Sequence, residues 1–347
     1  VTKDSSTMTL ATTPTEAMPT DAAPADAAPA DSMFAARTAK RRAVAARALQ
    51  EPAPWAPPMI GTLLPAGDVP GDQVLIGAPH LDVAAKLYPV LTARLADEIR
   101  ASRTGRVVVA IAGGSGAGKT GVAAVLAHQL GLDGVGSYIV SGDNYVWRIP
   151  EHNDAERIGL FRLAGARGLA EAGLLTPEVR DTLRELQLAG TDAVTTKELP
   201  WLTTYVTAGS EALDNYLGTP REIDFSGLAA SLTQFTDGAD ELWLRRTGRA
   251  PHEVWFEAVD VSGIDVLFVE WTHGLSKHLH GADVGVYLHA DPADTLAGRL
   301  ARGRDANVDS PFASMVLGIE QDKLYRQART ADIVVRDGVV TVQEVAR

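Results

Sequence analysis

The 347-residue chain contains no cysteine, which excludes disulfides, thiolate-bound metals and a cysteine nucleophile and fits a reducing compartment. No stretch approaches the ~20 uninterrupted apolar residues that a membrane-crossing helix needs. The first residues also lack the basic-then-apolar order of a secretory leader. A soluble, cytoplasmic protein is therefore the expectation. A lysine or arginine run strong enough to overcome the overall charge is missing too: 32 basic against 44 acidic residues leave a net charge of −12. That field opposes a polyanionic backbone, so neither nucleic acid nor a membrane surface is expected as a partner. His152 and His273 have no companion acid at metal-ligand spacing, which argues against zinc.

Hydrophobic residues make up 46% of the chain, enough for one large core or two modest ones. Residues 1–31 are mostly Thr, Ala, Pro, Asp, Ser and Met without a period and read as a disordered low-complexity tail. Residues 32–104 read as a helical extension packed on the core. In it MFAARTAKRRAVAARALQ (33–50) forms a basic helix that proline-rich EPAPWAPP stops, and residues 81–102 repeat apolar side chains at three and four. RVVVAIAGG is apolar throughout and β-branched, as a strand covered on both faces should be. A helix begins inside GAGKTGVAAVLAHQLGL, and SYIV gives the next strand. This order is the grammar of an open parallel α/β sheet.

Residues 113–120, GGSGAGKT, match G-x-x-x-x-G-K-[ST] in full, after a strand and before a helix. Glycines there remove side chains that would block the backbone, so the N–H groups of Gly114, Ser115, Gly116, Ala117 and Gly118 and the helix start can surround phosphates. Lys119 would bridge the β- and γ-phosphates of ATP, and Thr120 would offer its hydroxyl to Mg²⁺. A tight turn alone would not need Lys119 and Thr120 in this register. The spacing predicts a P-loop NTPase-type three-layer domain over 105–347 with a mainly parallel sheet.

Two carboxylates leave strands at the same edge, where open α/β sheets place their sites. Glu270 ends VLFVE and can hold Mg²⁺ or orient the attacking group; its plainer reading is a helix cap or a surface carboxylate. Asp143, in SGDNY, can take the acceptor proton, with metal coordination as the second reading; it is also a natural cap residue. Arg299, Arg302 and Arg304 follow the YLHA strand on a charged helix from 292 to 304. They read either as a lid over the triphosphate, about 296–312, or as a solvated basic face.

Residues 151–263 read as an acceptor-binding excursion of charged helices with short strands ELWLRR and EVWFEAVD, in which Trp243 and Trp255 read as buried. The sheet resumes with IDVLFVE, ADVGVYLHA and ADIVVRDG. Candidate acceptor contacts are Tyr145, Trp147, Arg148, His152, Asn153 and Arg157, dense enough in rings and hydrogen-bonding groups for a sugar or nucleoside, with Trp271 and His273 from a neighbouring strand end. The arginines leave a sugar phosphate open.

Together these residues resemble the phosphoribulokinase/uridine kinase family of P-loop small-molecule kinases, over roughly residues 105 to 340. The resemblance implies ATP and Mg²⁺ as cofactors and Asp143, with Tyr145 just beyond it, as catalytic base. It also implies Glu270 as the acidic strand end, RGRD at 302–305 as the lid, and IDFSGL around Asp224 as an acceptor-side segment. Departures fall at the acceptor: Asp143-Asn144-Tyr145-Val146-Trp147 replaces the family's D-S-F-Y or D-D-F-Y, and Glu270-Trp271-Thr272-His273-Gly274 replaces a short E-G-x. The expected activity is transfer of a γ-phosphoryl group to an alcohol of a nucleoside, sugar or sugar phosphate. A regulatory ATPase that switches on a protein partner, and an adenylylsulfate kinase-like enzyme, are the alternatives. A homo-oligomer stays open.

Overall fold

The computed structural model describes residues 28–65, 67–250, 252–291, 295 and 310–344. In chain order the described elements are α1 (Ala28–Gln50), β1 (Leu63–Pro65), β2 (Gln73–Leu75), α2 (Ala78–Ala101), β3 (Val107–Gly113), α3 (Lys119–Leu132), β4 (Ser137–Ser141), α4 (Pro150–Glu171), α5 (Pro177–Ala189), α6 (Trp201–Asp214), α7 (Phe225–Asp237), β5 (Glu241–Thr247), β6 (Val254–Asp260), β7 (Val266–Glu270), β8 (Val284–Leu288), α8 (Pro311–Gln327), β9 (Ile333–Arg336) and β10 (Val339–Val342). The expected tail lies outside the described residues up to 27, and residues 28–31 open α1 instead of continuing it.

Six strands form the central sheet in the order β10-β9-β8-β3-β7-β4; five run parallel and β10 pairs antiparallel to β9. Alternation along β3 explains the three layers. Val107, Val109 and Ile111 face one side, into a core with Leu87, Leu91 and Leu95 of α2 and Val122 and Leu126 of α3. Val108 faces the other, where Phe225, Leu228 and Leu232 of α7 and Leu242 and Leu244 of β5 cover the sheet. The chain therefore adopts an α/β fold with a mixed central sheet flanked by helices.

A third cluster joins α4, α5, α6 and α8 around Phe161, Leu202, Tyr205 and Val316. Glycines let α4 and α6 come close. A Cβ on Gly165 would lie 2.6 Å from the Tyr205 ring, and one on Gly209 would lie 2.4 Å from the Phe161 ring. The two rings meet edge-on at 5.3 Å, an arrangement the aromatic quadrupole favours.

Two short antiparallel hairpins complete the described chain. β5 and β6 were read from the sequence as strands, but Trp243 and Trp255 are not buried in them: they are 60% and 41% exposed. A two-stranded ribbon offers the core one face, and Leu242 and Leu244 occupy it. The other hairpin, β1–β2, interrupts the N-terminal helices; strands of three residues are too short to show a period.

Candidate active site

The glycine-rich loop connects β3 to α3. Gly116 and Gly118 have φ of 88° and 83°, and Gly113 lies so close to β8 that a Cβ there would sit 2.4 Å from the Leu288 carbonyl oxygen. Only glycine suits these positions. Gly118 caps α3 without a side chain, and the N–H groups of a helix's first turn have no acceptor inside the helix, so they carry its positive dipole end outward. A cradle of this shape fits a phosphate. Lys119 is buried, donates from Nζ to the Gly114 carbonyl at 3.1 Å and lies 3.9 Å from Glu270 Oε1. Thr120 follows it, half-buried.

The sheet register brings the acids to the loop. Glu270 stands opposite Ile111 of β3 on one side and opposite Ser141 of β4 on the other. Two residues past Ser141, Asp143 sits in a tight 3₁₀ turn, Gly142–Tyr145, whose entry is fixed by the Asp143 N–H donating to Ser141 Oγ at 3.4 Å. Trp271 packs against Gly142 and leaves no room there for a side chain.

Asp143, Trp271, Thr272 and His273 line one cavity of about 870 Å³ together with Ser115 of the glycine loop. Its far wall comes from α4, the segment after α5, and the start of α8. Five of its lining side chains are carboxylic acids, Asp143, Asp154, Asp192, Glu222 and Glu320, against one arginine, Arg157. That arginine is saturated: it lies 2.7 Å from Glu222, 3.2 Å from Glu320 and 3.7 Å from Asp154. Burial alone would raise the Glu222 carboxyl, yet the charge of Arg157 and the N–H of Gly218 hold it below its ordinary value. Glu320 moves the opposite way, because burial outweighs the pull of Arg157. Burial lowers His273 to about 4, so its ring is neutral at pH 7.

Several residues expected at the acceptor are employed elsewhere. Tyr145 is buried in the core under α7. Trp147 is 49% exposed and donates from its indole to the Pro220 carbonyl. Arg148 donates to the Tyr216 hydroxyl at 3.1 Å and pairs with Glu156, and His152 is exposed. Asn153 is buried and donates to Glu222, so it supports the wall without forming it. For His152 and Asn153 the physical reason is the start of α4 at Pro150: a helix turns successive residues to different faces, and within 150–158 only Asp154, Ala155, Arg157 and Ile158 face the cavity. Asp224 caps α7, accepting from the Gly227 N–H at 2.9 Å. Arg299, Arg302 and Arg304 lie outside the described residues. Glu222, Glu320 and Asp192 were missed. The one available signal was for Glu222, which immediately precedes the segment IDFSGL already singled out.

No protein-family model matches the chain. Over 239 residues, 69% of its length, it is 37% identical to the bifunctional alpha-galactosidase/sucrose kinase AgaSK of Mediterraneibacter gnavus, and it spans 21% of that protein. Solved structures with some overlap include a candidate fructose transport system kinase from Silicibacter sp. TM1040, at TM-score 0.41 and 18% identity over 69% of this chain and 92% of that one. Another is a candidate uridine kinase from Bacillus stearothermophilus, at TM-score 0.35 and 15% identity over 71% of this chain and 98% of that one. Both overlaps are loose.

Proposed function

We propose that the chain is an ATP-dependent kinase that transfers the γ-phosphoryl group to a hydroxyl of an uncharged sugar. One observation carries the reading: Ser115 of the phosphate-binding loop and the Asp143 carboxylate border the same cavity. The loop amides would hold the phosphates of ATP beside the cavity that an acceptor would enter. Asp143 holds the acceptor hydroxyl and takes its proton as the bond to phosphorus forms, late in a largely dissociative transfer. Lys119 follows the charge that builds on the transferred group. Thr120 and Glu270 are the residues that would hold Mg²⁺, which supplies further neutralisation of the phosphates; one or two side chains suffice for an ion held mainly by phosphate and water.

The charges lining the cavity support an uncharged acceptor. Among the described lining residues Arg157 is the only cation and three carboxylates surround it, so a second phosphate would meet net repulsion. Carboxylates and a neutral imidazole suit sugar hydroxyls. A sugar also agrees with the relative whose name includes sucrose kinase.

The test is ADP release from MgATP in the presence of sucrose, hexoses, hexose phosphates and nucleosides, with the product identified by mass spectrometry. Release that depends on a neutral sugar and is absent with its phosphate is expected. MgATP binding with no acceptor-dependent turnover, or turnover raised only by a protein, would overturn the reading.

A further inference from the structure

The hairpin β1–β2 belongs to the N-terminal extension, yet its turn reaches the loop that bears Asp143. β4 is the last strand of the sheet, and an edge strand leaves backbone donors on its outer side without a neighbour. The hairpin covers that edge. Gly67, at φ 60°, lies so close that a Cβ would meet Ile139 Cγ2 at 3.3 Å and Ser141 Cβ at 3.6 Å. Next to it, one carboxylate oxygen of Asp68 accepts both the Ser141 N–H at 2.7 Å and the Asn144 amide at 2.9 Å. These two residues bracket Asp143. The other oxygen accepts from Arg246 of β5 at 2.7 Å, and both partners are 4% exposed at the side chain. Arg246 is held in turn by Glu257 at 2.9 Å and donates to the Tyr138 hydroxyl at 3.1 Å. From the opposite side Asn144 Oδ1 accepts the Thr247 N–H at 3.0 Å.

We infer that Asp68 is a positioning residue for phosphoryl transfer: it pins both flanks of the turn that carries Asp143, so that the N-terminal hairpin is part of the catalytic unit. Burial raises the Asp68 carboxyl to about 6 against the charge of Arg246 and the Ser141 donor, which leaves it ionised at pH 7. Its charge in turn keeps the buried Arg246 guanidinium protonated. A carboxylate buried with three donors on its two oxygens sets loop geometry more strictly than an apolar contact, because moving the loop strands charged groups out of water. The inference rests on the proposed role of Asp143.

The experiment compares the full chain with Asp68→Asn, Asp143→Asn, the double variant, and Arg249→Ala, which cuts the exposed 3.3 Å tether between Arg249 and Asp72 elsewhere on the two hairpins. Steady-state kinetics with a responsive sugar and calorimetric MgATP affinity are measured for each. Displacement of a catalytic group by about an ångström can cost about 10²-fold, so Asp68→Asn should lower kcat by about 10- to 100-fold while MgATP affinity stays within about threefold. Arg249→Ala should leave kcat unchanged. In the double variant the Asp68 change should add little, since its effect passes through the lost carboxylate. Multiplying losses, a parallel fall in MgATP affinity, or an unchanged kcat would overturn the inference. Should Asp68→Asn fail to fold, Gly67→Ala, which strains the turn and pushes it off β4 without changing any charge, is read by the same split. If Asp143→Asn is inactive and Asp68→Asn is normal, only the positioning role falls. If the wild-type chain shows no acceptor-dependent turnover, the kinase reading falls and the positioning role with it.

Discussion

Replacing Glu222 by Gln tests the acid–base hub of the cavity most directly. Glu222 is 1% exposed and uses both oxygens: Oε1 accepts from Arg157 at 2.7 Å and Asn153 at 3.1 Å, and Oε2 accepts the Gly218 N–H at 2.7 Å. Glutamine is isosteric, but one of its two positions becomes a donor, so it must face either Gly218 or the Arg157–Asn153 pair donor to donor. Hydrogen bonds to a charged group contribute about 1.5–3 kcal/mol each, and stranding a buried charge altogether costs about 3–5 kcal/mol. Arg157 keeps Glu320 at 3.2 Å, so the loss should fall below that upper figure, at about 3 kcal/mol. Urea unfolding at pH 7 should show the midpoint falling with the slope unchanged. Because the Glu222 carboxyl is held below its ordinary value of 4.5, its stabilisation is present above that pH and fades as pH falls through the folded value. The gap between variant and wild type should therefore close in acid. A loss under about 1 kcal/mol at pH 7, or a gap that does not depend on pH, would refute the description of Glu222 as a charged hub.

Three further outcomes are expected. Asp143→Asn should lower kcat by about 10²–10⁴-fold with MgATP affinity nearly intact, as removal of a general base does; calorimetry beside steady-state kinetics separates this from damage to the phosphate site. Gly113→Ala places a methyl group 2.4 Å from the Leu288 carbonyl, so it should cost about 1–3 kcal/mol and weaken MgATP binding, both measurable on purified protein. His273 is lowered by burial from 6.5 to about 4, so the unfolded chain takes up a proton before the native one does, and stability drains away as pH falls between those values. Between pH 7 and pH 5 this amounts to about 2 kcal/mol, and His273→Gln should make that stretch of the pH–stability curve correspondingly flatter.

The sheet was legible because its signals are local. β3, β4, β7, β8 and β9 coincide with apolar, β-branched segments, and the glycine loop sits where its motif places it, between β3 and α3. The acids at the strand tips were legible for the same reason: Glu270 ends β7, and Asp143 follows β4 by two residues. The far wall of the cavity was not. Arg157 meets Glu222 and Glu320 across separations of 65 and 163 residues, and no periodicity links three helical or turn positions that become neighbours only when α4 and α8 pack. The segment 145–157 misled because chemical density along a chain is not density in space. Once a helix starts at Pro150, neighbours in sequence diverge around its axis. Asp68 escaped notice because its hairpin strands are shorter than any pattern can reveal.

The mesh of α4 with α6 constrains how such a cavity can be remodelled. Phe161 occupies the space where Gly209 has no side chain, and Tyr205 does the same at Gly165, so neither glycine can grow unless the opposing ring shrinks in the same step. Single substitutions that resize the chamber therefore fall more readily on lining residues outside that interlock, such as Thr191 just past α5 and Ala313 in the first turn of α8.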